Sequence, residues 1–272
     1  MPPSICRMES MEPLIDSHCH LDLPAFDTDR RQVIANARRR GVVAFVVPGT
    51  TAAAWPRLLE LCRTEQGLYP ALGLHPYFLA DHRPQHLEAL RLLAMEARPV
   101  AIGEIGLDFQ LSNLDRKAQQ ALFRAQLRLA AELSLPVILH VRKAHDAVLK
   151  ALEEIPVPGG ICHAFNGSLQ QAERYMKLGF LFGFGGMVTY ARSRRLHRLS
   201  CGLPLSHLVL ETDAPDMSGV RHRGRRNSPE YLPEILRAVA RLRGLSQEEV
   251  ARATTTNLCR CLRLSPPPLP EG

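Results

Sequence analysis

His18 and His20 could bind a metal ion together, because side chains two positions apart on a β-strand point to the same side. The pair follows the short apolar run 14–17. Such a pair alone is a weak signal, but four further apolar runs also end in side chains that bind metals. The residues at these four run ends are Glu104, His140, His163 and Asp213. Six side chains of ligand type at five run ends predict a metal centre.

Two ions are expected, because a two-metal hydrolase needs neutral imidazoles and carboxylates, with one carboxylate bridging ions about 3.5–4 Å apart. Glu104 is the predicted bridge and a catalytic residue. The remaining ligands divide between a first ion and a second: His18, His20 and Asp213 at one, and His140 and His163 at the other. Metal binding lowers the pKa of a bound water towards about 7. Asp213, the second predicted catalytic residue, would orient this water and accept its proton.

The elements that must position these residues alternate between strand and helix, as βα units require. Eight apolar runs have strand character: 14–17, 42–47, 68–74, 100–104, 137–140, 160–163, 180–183 and 208–211. Helix-period segments lie between or after them, at 30–40, 53–65, 85–97, 116–133, 144–154, 169–178, 229–242 and 247–254. The exception follows the seventh strand, where the segment 192–199 is short and basic. We therefore predict an α/β fold, a (β/α)8 TIM barrel of the metal-dependent hydrolase type, whose strand ends converge on one face. A doubly wound open sheet is the alternative, but it would gather these strand ends less readily.

The length and composition favour one catalytic domain spanning 1–272, with a core at about 13–263 and loose ends at 1–12 and 264–272. Seven cysteines without a CxxC pair predict free thiols in a reducing, cytoplasmic compartment. No export signal or membrane span is apparent. The net charge of +7 and pI near 9.3 favour phosphate-rich substrates.

Six stretches together resemble the TatD family of metal-dependent deoxyribonucleases, within the amidohydrolase-like barrel superfamily. They are IDSHCHLD at 15–22, GLHP at 73–76, GEIGLDF at 103–109, PVILHVR at 136–142, CHAFNG at 162–167 and LETDAP at 210–215. The resemblance covers nearly the whole chain. It implies a barrel with a dinuclear centre, metal ligands at the six positions already named, and hydrolysis of DNA phosphodiesters. It also implies that His75, Asp108 and Arg142 lie around the substrate phosphate or behind the metal ligands.

Metal identity stays open, because four imidazoles favour zinc, manganese, iron or cobalt, whereas the family resemblance favours magnesium. We expect two divalent ions per chain, with Zn, Mn or Mg as candidates. Arg142 suits bidentate phosphate binding, since it follows His140 by two positions. Two basic stretches, 192–198 and 221–226, could border the active face and contact a DNA backbone.

Some positions depart from the family pattern or match no ligand position. Ala164 and Asn166 stand where the family often has Cys and Ser, and Ser228 replaces an acid in Arg-Asn-Glu-Pro. These changes leave the six ligands intact and bear on substrate contacts. Cys19 and Cys162 should turn away from the site. The remaining histidines are expected to be surface or packing residues: His82, His86, His145, His197 and His207.

Three functions are compatible with these residues. The leading one is a deoxyribonuclease of exonuclease type that cleaves single-stranded DNA with a metal-activated water. The alternative is a metal-dependent hydrolase of a small ester or amide, or of an aminoacyl-RNA ester, because fold does not fix function. The third is a nucleic-acid-binding protein without turnover, in which the metals would be structural. The six predicted ligands count against it, because a structural zinc site is typically closed by four protein ligands. No obligate protein partner is expected.

Overall fold

Eight parallel strands in consecutive order form the sheet of a (β/α)8 TIM barrel, as the strand and helix alternation predicted. The computed structural model describes residues 12–111 and 114–265. The strands are β1 (Leu14–Asp16), β2 (Val42–Pro48), β3 (Leu68–Leu72), β4 (Ala101–Asp108), β5 (Val137–Arg142), β6 (Gly160–Cys162), β7 (Phe180–Phe184) and β8 (Leu208–Leu210). Of the ends expected to be loose, 1–11 and 266–272 lie outside the described residues.

Helices cover the outside of the sheet, mostly one between each pair of consecutive strands. They are α1 (Arg30–Arg39), α2 (Trp55–Thr64), α3 (Gln85–Ala97), α4 (Arg116–Glu132), α5 (His145–Glu154), α6 (Leu169–Lys177), α7 (Arg194–Gly202), α8 (Leu232–Arg243) and α9 (Gln247–Leu262). No helix within the described ranges is both long and apolar enough to cross a lipid bilayer.

Alternate side chains of each strand enter two separate cores, because successive residues of a strand face opposite sides. In β8, for example, Val209 points into the barrel, while Leu208 and Leu210 pack against the helices. Cys19 and Cys162 are buried in the outer core, in agreement with their predicted orientation. The strands therefore read as nearly continuous apolar runs, as is typical of parallel sheets covered by helices.

Helix α9 closes the end of the barrel where the strands begin. Leu258, Cys259 and Leu262 pack into the inner core, and Asn257 donates to the carbonyl of Leu208 at 2.9 Å. We predicted this helix over 247–254 only, because the polar run before Leu258 hides its apolar face. Since α9 covers this end, the barrel opens at the carboxyl ends of the strands.

Strand β4 is longer than predicted, and this places Glu104 in the middle of the strand rather than at its end. The register of β4 against β5 shifts between Ile102 and Ile105. Beyond the shift, Gly106 has φ +152, and a Cβ there would lie 1.9 Å from the carbonyl oxygen of His140. Glycine therefore permits the close approach of the two strands that carry Glu104 and His140.

The first and last strands meet through the residues that precede and carry the candidate ligands. Ser17 donates its backbone N–H to Leu210 at 3.0 Å, and Asp213 donates to the carbonyl of His18 at 2.9 Å. The buried carboxyl group of Asp16 also accepts hydrogen bonds from the backbone and the hydroxyl of Thr212, at 2.9 and 2.5 Å. The backbones that carry His18 and Asp213 are thus tied to each other.

Candidate metal centre

All six predicted ligands gather on the face of the barrel to which the carboxyl ends of the strands point, around a cavity of about 700 Å³. His18 is fully buried beneath this cavity. The other five line it, and so do two of the three residues predicted to contact substrate, His75 and Arg142. The third, Asp108, is buried next to His140. The predicted ligands are spread along the sequence from His18 to Asp213, and the fold brings them into one continuous cluster.

The first group of donors surrounds the ring nitrogens of His18 and His20. Their Nε2 atoms lie 3.2 Å apart. Oε2 of Glu104 lies 3.3 and 3.6 Å from these two atoms, and Oδ1 of Asp213 lies 3.6 Å from each. Two atoms that bind one ion at about 2.1 Å are roughly 3–3.5 Å apart. These spacings are those of donors that share an ion.

The protonation of this pair supports a cation between the rings. Nδ1 of His20 faces the carbonyl of Pro48 at 3.2 Å, so it carries the proton and Nε2 presents a lone pair. Burial, together with the charge of His163, lowers the pKa of His18, which favours its neutral form as well. A His18 ring that favours its neutral form and a His20 ring whose Nε2 faces it at 3.2 Å fit a divalent ion.

The second group of donors surrounds the other oxygen of Glu104. Oε1 lies 3.1 Å from Nδ1 of His140 and 3.3 Å from Nε2 of His75. His163 is farther away, with its Nε2 3.9 Å from Oε1 of Glu104 and 3.8 Å from Oδ2 of Asp213. We assigned His75 to substrate binding, but the structure brings it within ligand distance of the second group. His163 lies between the two groups.

The environment of Glu104 keeps this bridging candidate charged. Burial alone would raise the pKa of its carboxyl, but His75 and His18, with hydrogen bonds from His140, lower that pKa well below its usual range. At His140 burial acts in the opposite direction and would lower the pKa of the ring, but hydrogen bonds with Asp108 and Glu104 raise it. The centre is a buried carboxylate among imidazoles, which is the donor chemistry of zinc, manganese or iron.

Asp108 and Arg142 lie together behind and above His140. Oδ2 of Asp108 is 3.2 Å from Nε2 of His140 and 3.8 Å from the guanidinium of Arg142. Asp108 therefore fixes the ring of a candidate ligand, as carboxylates behind metal-bound histidines do. The Arg142 side chain is 55% exposed and lines the cavity, where its guanidinium can reach an anion.

Sequence reasoning missed the buried polar residues that hold this cluster in place. Glu211 contacts His163, and Asp16 holds Thr212. Gln119 and Gln126 of α4 each accept from a backbone N–H and donate to a backbone carbonyl, at Asp108 and at Leu74. The signal for the two glutamines was present, because they are seven positions apart on the apolar face of a helix.

Outside the cluster, His82 and the basic stretch 221–226 have partners within the protein. His82 contacts the carbonyl of His75 at 2.8 Å, so it supports the loop that carries His75. The basic stretch 221–226 is not wholly free to bind DNA, because Arg226 forms a bidentate ion pair with Asp29 and covers the ring of Phe26.

Comparisons with known proteins agree with this geometry. A family model described as TatD related DNase matches residues 15–263. The metal-dependent hydrolase YjjV of Escherichia coli (strain K12), which is described as uncharacterized, is 42% identical over 257 residues, covering 93% of this chain and 96% of that protein. The 3'-5' ssDNA/RNA exonuclease TatD of Klebsiella pneumoniae (strain 342) is 36% identical over 253 residues, covering 90% and 96%. The crystal structure of Escherichia coli YjjV superimposes with a TM-score of 0.89 at 39% identity, covering 93% of this chain and 98% of that one.

Proposed function

This chain belongs to the TatD-related DNase family of metal-dependent hydrolases, and we propose that it is a deoxyribonuclease that removes nucleotides from single-stranded DNA. The observation that carries the proposal is the position of Glu104 between two donor groups. Its Oε2 faces His18 and His20, and its Oε1 faces His75 and His140. A relative of similar length is named a 3'-5' ssDNA/RNA exonuclease, which favours a nucleic-acid substrate. We further propose that residues 13–263 form one catalytic domain.

Two divalent ions, with zinc, manganese or magnesium as candidates, would be held by the six predicted ligands. When bound, such ions supply a nucleophile at neutral pH and offset the charge that develops on the phosphate. The cluster would hold them on either side of Glu104, with His18, His20 and Asp213 on one side and His140 and His163 on the other. We add His75 to the second side as a candidate ligand, because its Nε2 is 3.3 Å from Glu104.

The remaining site residues would bind and orient the substrate. Arg142 would hold a phosphate oxygen of the strand through its exposed guanidinium, in the fork geometry that phosphate recognition uses. Asp108 would position that guanidinium and the ring of His140 together. Asp213, whose side chain is 13% exposed at the edge of the cavity, would orient the attacking water and accept its proton at a carboxylate oxygen.

The test is cleavage of an end-labelled single-stranded DNA oligonucleotide. Chelator-stripped protein would be resupplied separately with magnesium, manganese or zinc, and Glu104→Gln would serve as an isosteric control. We expect a metal-dependent ladder that the variant lacks. Cleavage of an acyl ester but not of DNA would replace the nuclease with the ester or amide hydrolase. Salt-sensitive DNA binding with no cleavage in any metal would instead favour a binding protein.

A further inference from the structure

A second cavity, of about 460 Å³, adjoins the metal cavity. Asn166 lines both cavities. Arg142 lines the metal cavity and Lys143, the next residue, lines the second one, so their Cα atoms are only about 3.8 Å apart. Arg195 and Phe109 contribute a cationic and an aromatic wall. A polymer that reaches the metal centre can therefore extend into the second cavity without leaving the protein surface.

The second cavity has a positive character. Lys143 and Arg195 line it, and Arg195 donates its Nε–H to the carbonyl of Gly167 at 3.3 Å. Asp146 also lines the cavity, but its Oδ1 accepts a hydrogen bond from Gln171 at 3.0 Å and lies 4.0 Å from Arg174. The lining therefore carries two cations against one acid whose side chain is 81% exposed, and the balance favours an anion.

Two hydrogen bonds in series, from Tyr175 through His145 to Asn166, hold the side-chain amide of Asn166 by its oxygen. The Tyr175 hydroxyl is fully buried, and this burial raises its pKa well above the usual range, so it stays protonated and donates to Nδ1 of His145 at 3.3 Å. Burial lowers the pKa of His145, which favours a neutral ring, and because Oδ1 of Asn166 can only accept, the ring proton is assigned to Nε2. That Nε2–H donates to Oδ1 of Asn166 at 3.1 Å. With its oxygen accepting from His145, Asn166 has its NH2 group available to donate to a ligand in the cavity.

The backbone adds further donors to the same place. Helix α5 begins at His145 in the wall of the cavity, and its first turn has no side-chain cap. The unpaired N–H groups at a helix start attract anions. Two cations, one oriented amide and a helix start therefore surround a single space of ligand size.

We propose that this cavity is a second phosphate subsite, which binds the phosphodiester next to the scissile one in a single strand. The proposal rests on the proposed nuclease function and deepens it. Lys143 and Arg195 would supply charge, and Asn166 would donate a hydrogen bond to a phosphate oxygen, with His145 as its positioning residue. Phe109 would contact the adjoining sugar or base, as aromatic side chains do in single-strand grooves. Asn166, a departure from the family pattern, thereby acquires a role.

The test measures binding rather than cleavage. Full-length protein loaded with Mn²⁺ would be titrated against a fluorescent thymidine pentamer with phosphorothioate linkages, which resist hydrolysis and keep the backbone charge. Anisotropy at several salt concentrations gives Kd and its salt slope. The variants are Lys143→Ala, Arg195→Ala and Asn166→Asp. Arg237→Ala is the matched control, since Arg237 is an exposed arginine of α8 that lies outside both cavities and outside the two basic stretches.

We expect Lys143→Ala and Arg195→Ala each to raise Kd by about 3- to 10-fold and to reduce the salt slope by about 0.7. Asn166→Asp should weaken binding at least as much, because the acid still accepts from His145 but repels a phosphate. Arg237→Ala should stay within about 2-fold of the wild type. Equal affinity of all four variants would overturn the subsite, and so would an Arg237→Ala effect as large as that of Arg195→Ala. After either result the proposed nuclease function would still hold if the wild type cleaves unmodified DNA. Lack of that cleavage would refute the nuclease function itself.

Discussion

Oε1 of Glu211 lies 3.0 Å from Nδ1 of His163, on the side of the ring that faces away from the donor cluster. The opposite nitrogen, Nε2, faces Glu104 and Asp213. Burial would raise the pKa of Glu211, but the charge of His163 and its hydrogen bond lower it. The same oxygen accepts the backbone N–H of Ala164 at 2.6 Å. A buried carboxylate thus turns the ring so that Nε2 can bind an ion.

Glu211→Gln should weaken metal binding by roughly 10- to 100-fold, the usual loss when a carboxylate behind a histidine ligand is changed. The amide oxygen can still accept from Ala164, so the fold should persist. Competition with a chromophoric chelator measures the affinity. Glu173→Gln, an exposed change on α6, is the control. Unchanged affinity of Glu211→Gln would show that Glu211 does not act through the metal centre.

The sequence allowed the barrel and the gathering of the six candidate ligands to be predicted, for a physical reason. Strands buried on both faces are apolar throughout, so a polar side chain such as His140 or Asp213 stands out where the strand ends. Since the carboxyl ends of parallel strands meet on one face, the run ends define the site. The place of His75 was not predictable in this way, because it lies on a loop after β3, and only the structure shows its distance from Glu104.

The buried polar residues that hold the cluster in place, and the full length of β4, were not predicted. Gln119 and Gln126 lie seven positions apart on the apolar face of α4, which indicates burial, but their partners are backbone groups without a sequence signature, so their role could not be predicted. The length of β4 was missed because Gly103 and Gly106 interrupt its apolar pattern. A glycine usually weakens a strand, but here Gly106 allows β4 to approach β5.

Gln126→Leu should lower the free energy of unfolding by about 2–4 kcal/mol. Its side chain satisfies both the N–H and the carbonyl of Leu74, at 2.7 and 3.0 Å, and an apolar replacement leaves two buried backbone groups unpaired. Urea unfolding followed by circular dichroism measures the change. Gln170→Leu, on the exposed face of α6, should shift stability by less than about 0.5 kcal/mol. An equally small effect at Gln126 would contradict this role.

Thr212→Val should lower the free energy of unfolding by about 1–3 kcal/mol at neutral pH, because the buried Asp16 loses its hydroxyl donor. Burial raises the pKa of Asp16 to about 8, against the hydrogen bonds from Thr212. The same urea experiment applies, with Thr64→Val as control, since the Thr64 hydroxyl donates within its own exposed helix turn. Wild-type stability of Thr212→Val would mean that this contact between β1 and β8 contributes little.

Arg142→Ala should lower kcat/KM on single-stranded DNA by roughly 10- to 100-fold, as expected for the loss of a charge-assisted contact to phosphate. Arg142→Lys should recover part of the loss, because it keeps the charge without the fork. Initial rates with an end-labelled oligonucleotide measure the effect, and Arg237→Ala again controls for net charge. If Arg142→Ala cleaves DNA at the wild-type rate, its guanidinium does not hold the substrate phosphate.

The most direct test of the metal centre is the number of ions that one chain binds. Metal-free protein would be titrated with Mn²⁺ by isothermal calorimetry, alongside Glu104→Ala, which removes one oxygen from each donor group. We predict two ions per chain for the wild type and fewer than two tightly bound ions for the variant. A single ion in the wild type, or two ions bound by Glu104→Ala with unchanged affinity, would contradict a centre bridged by Glu104.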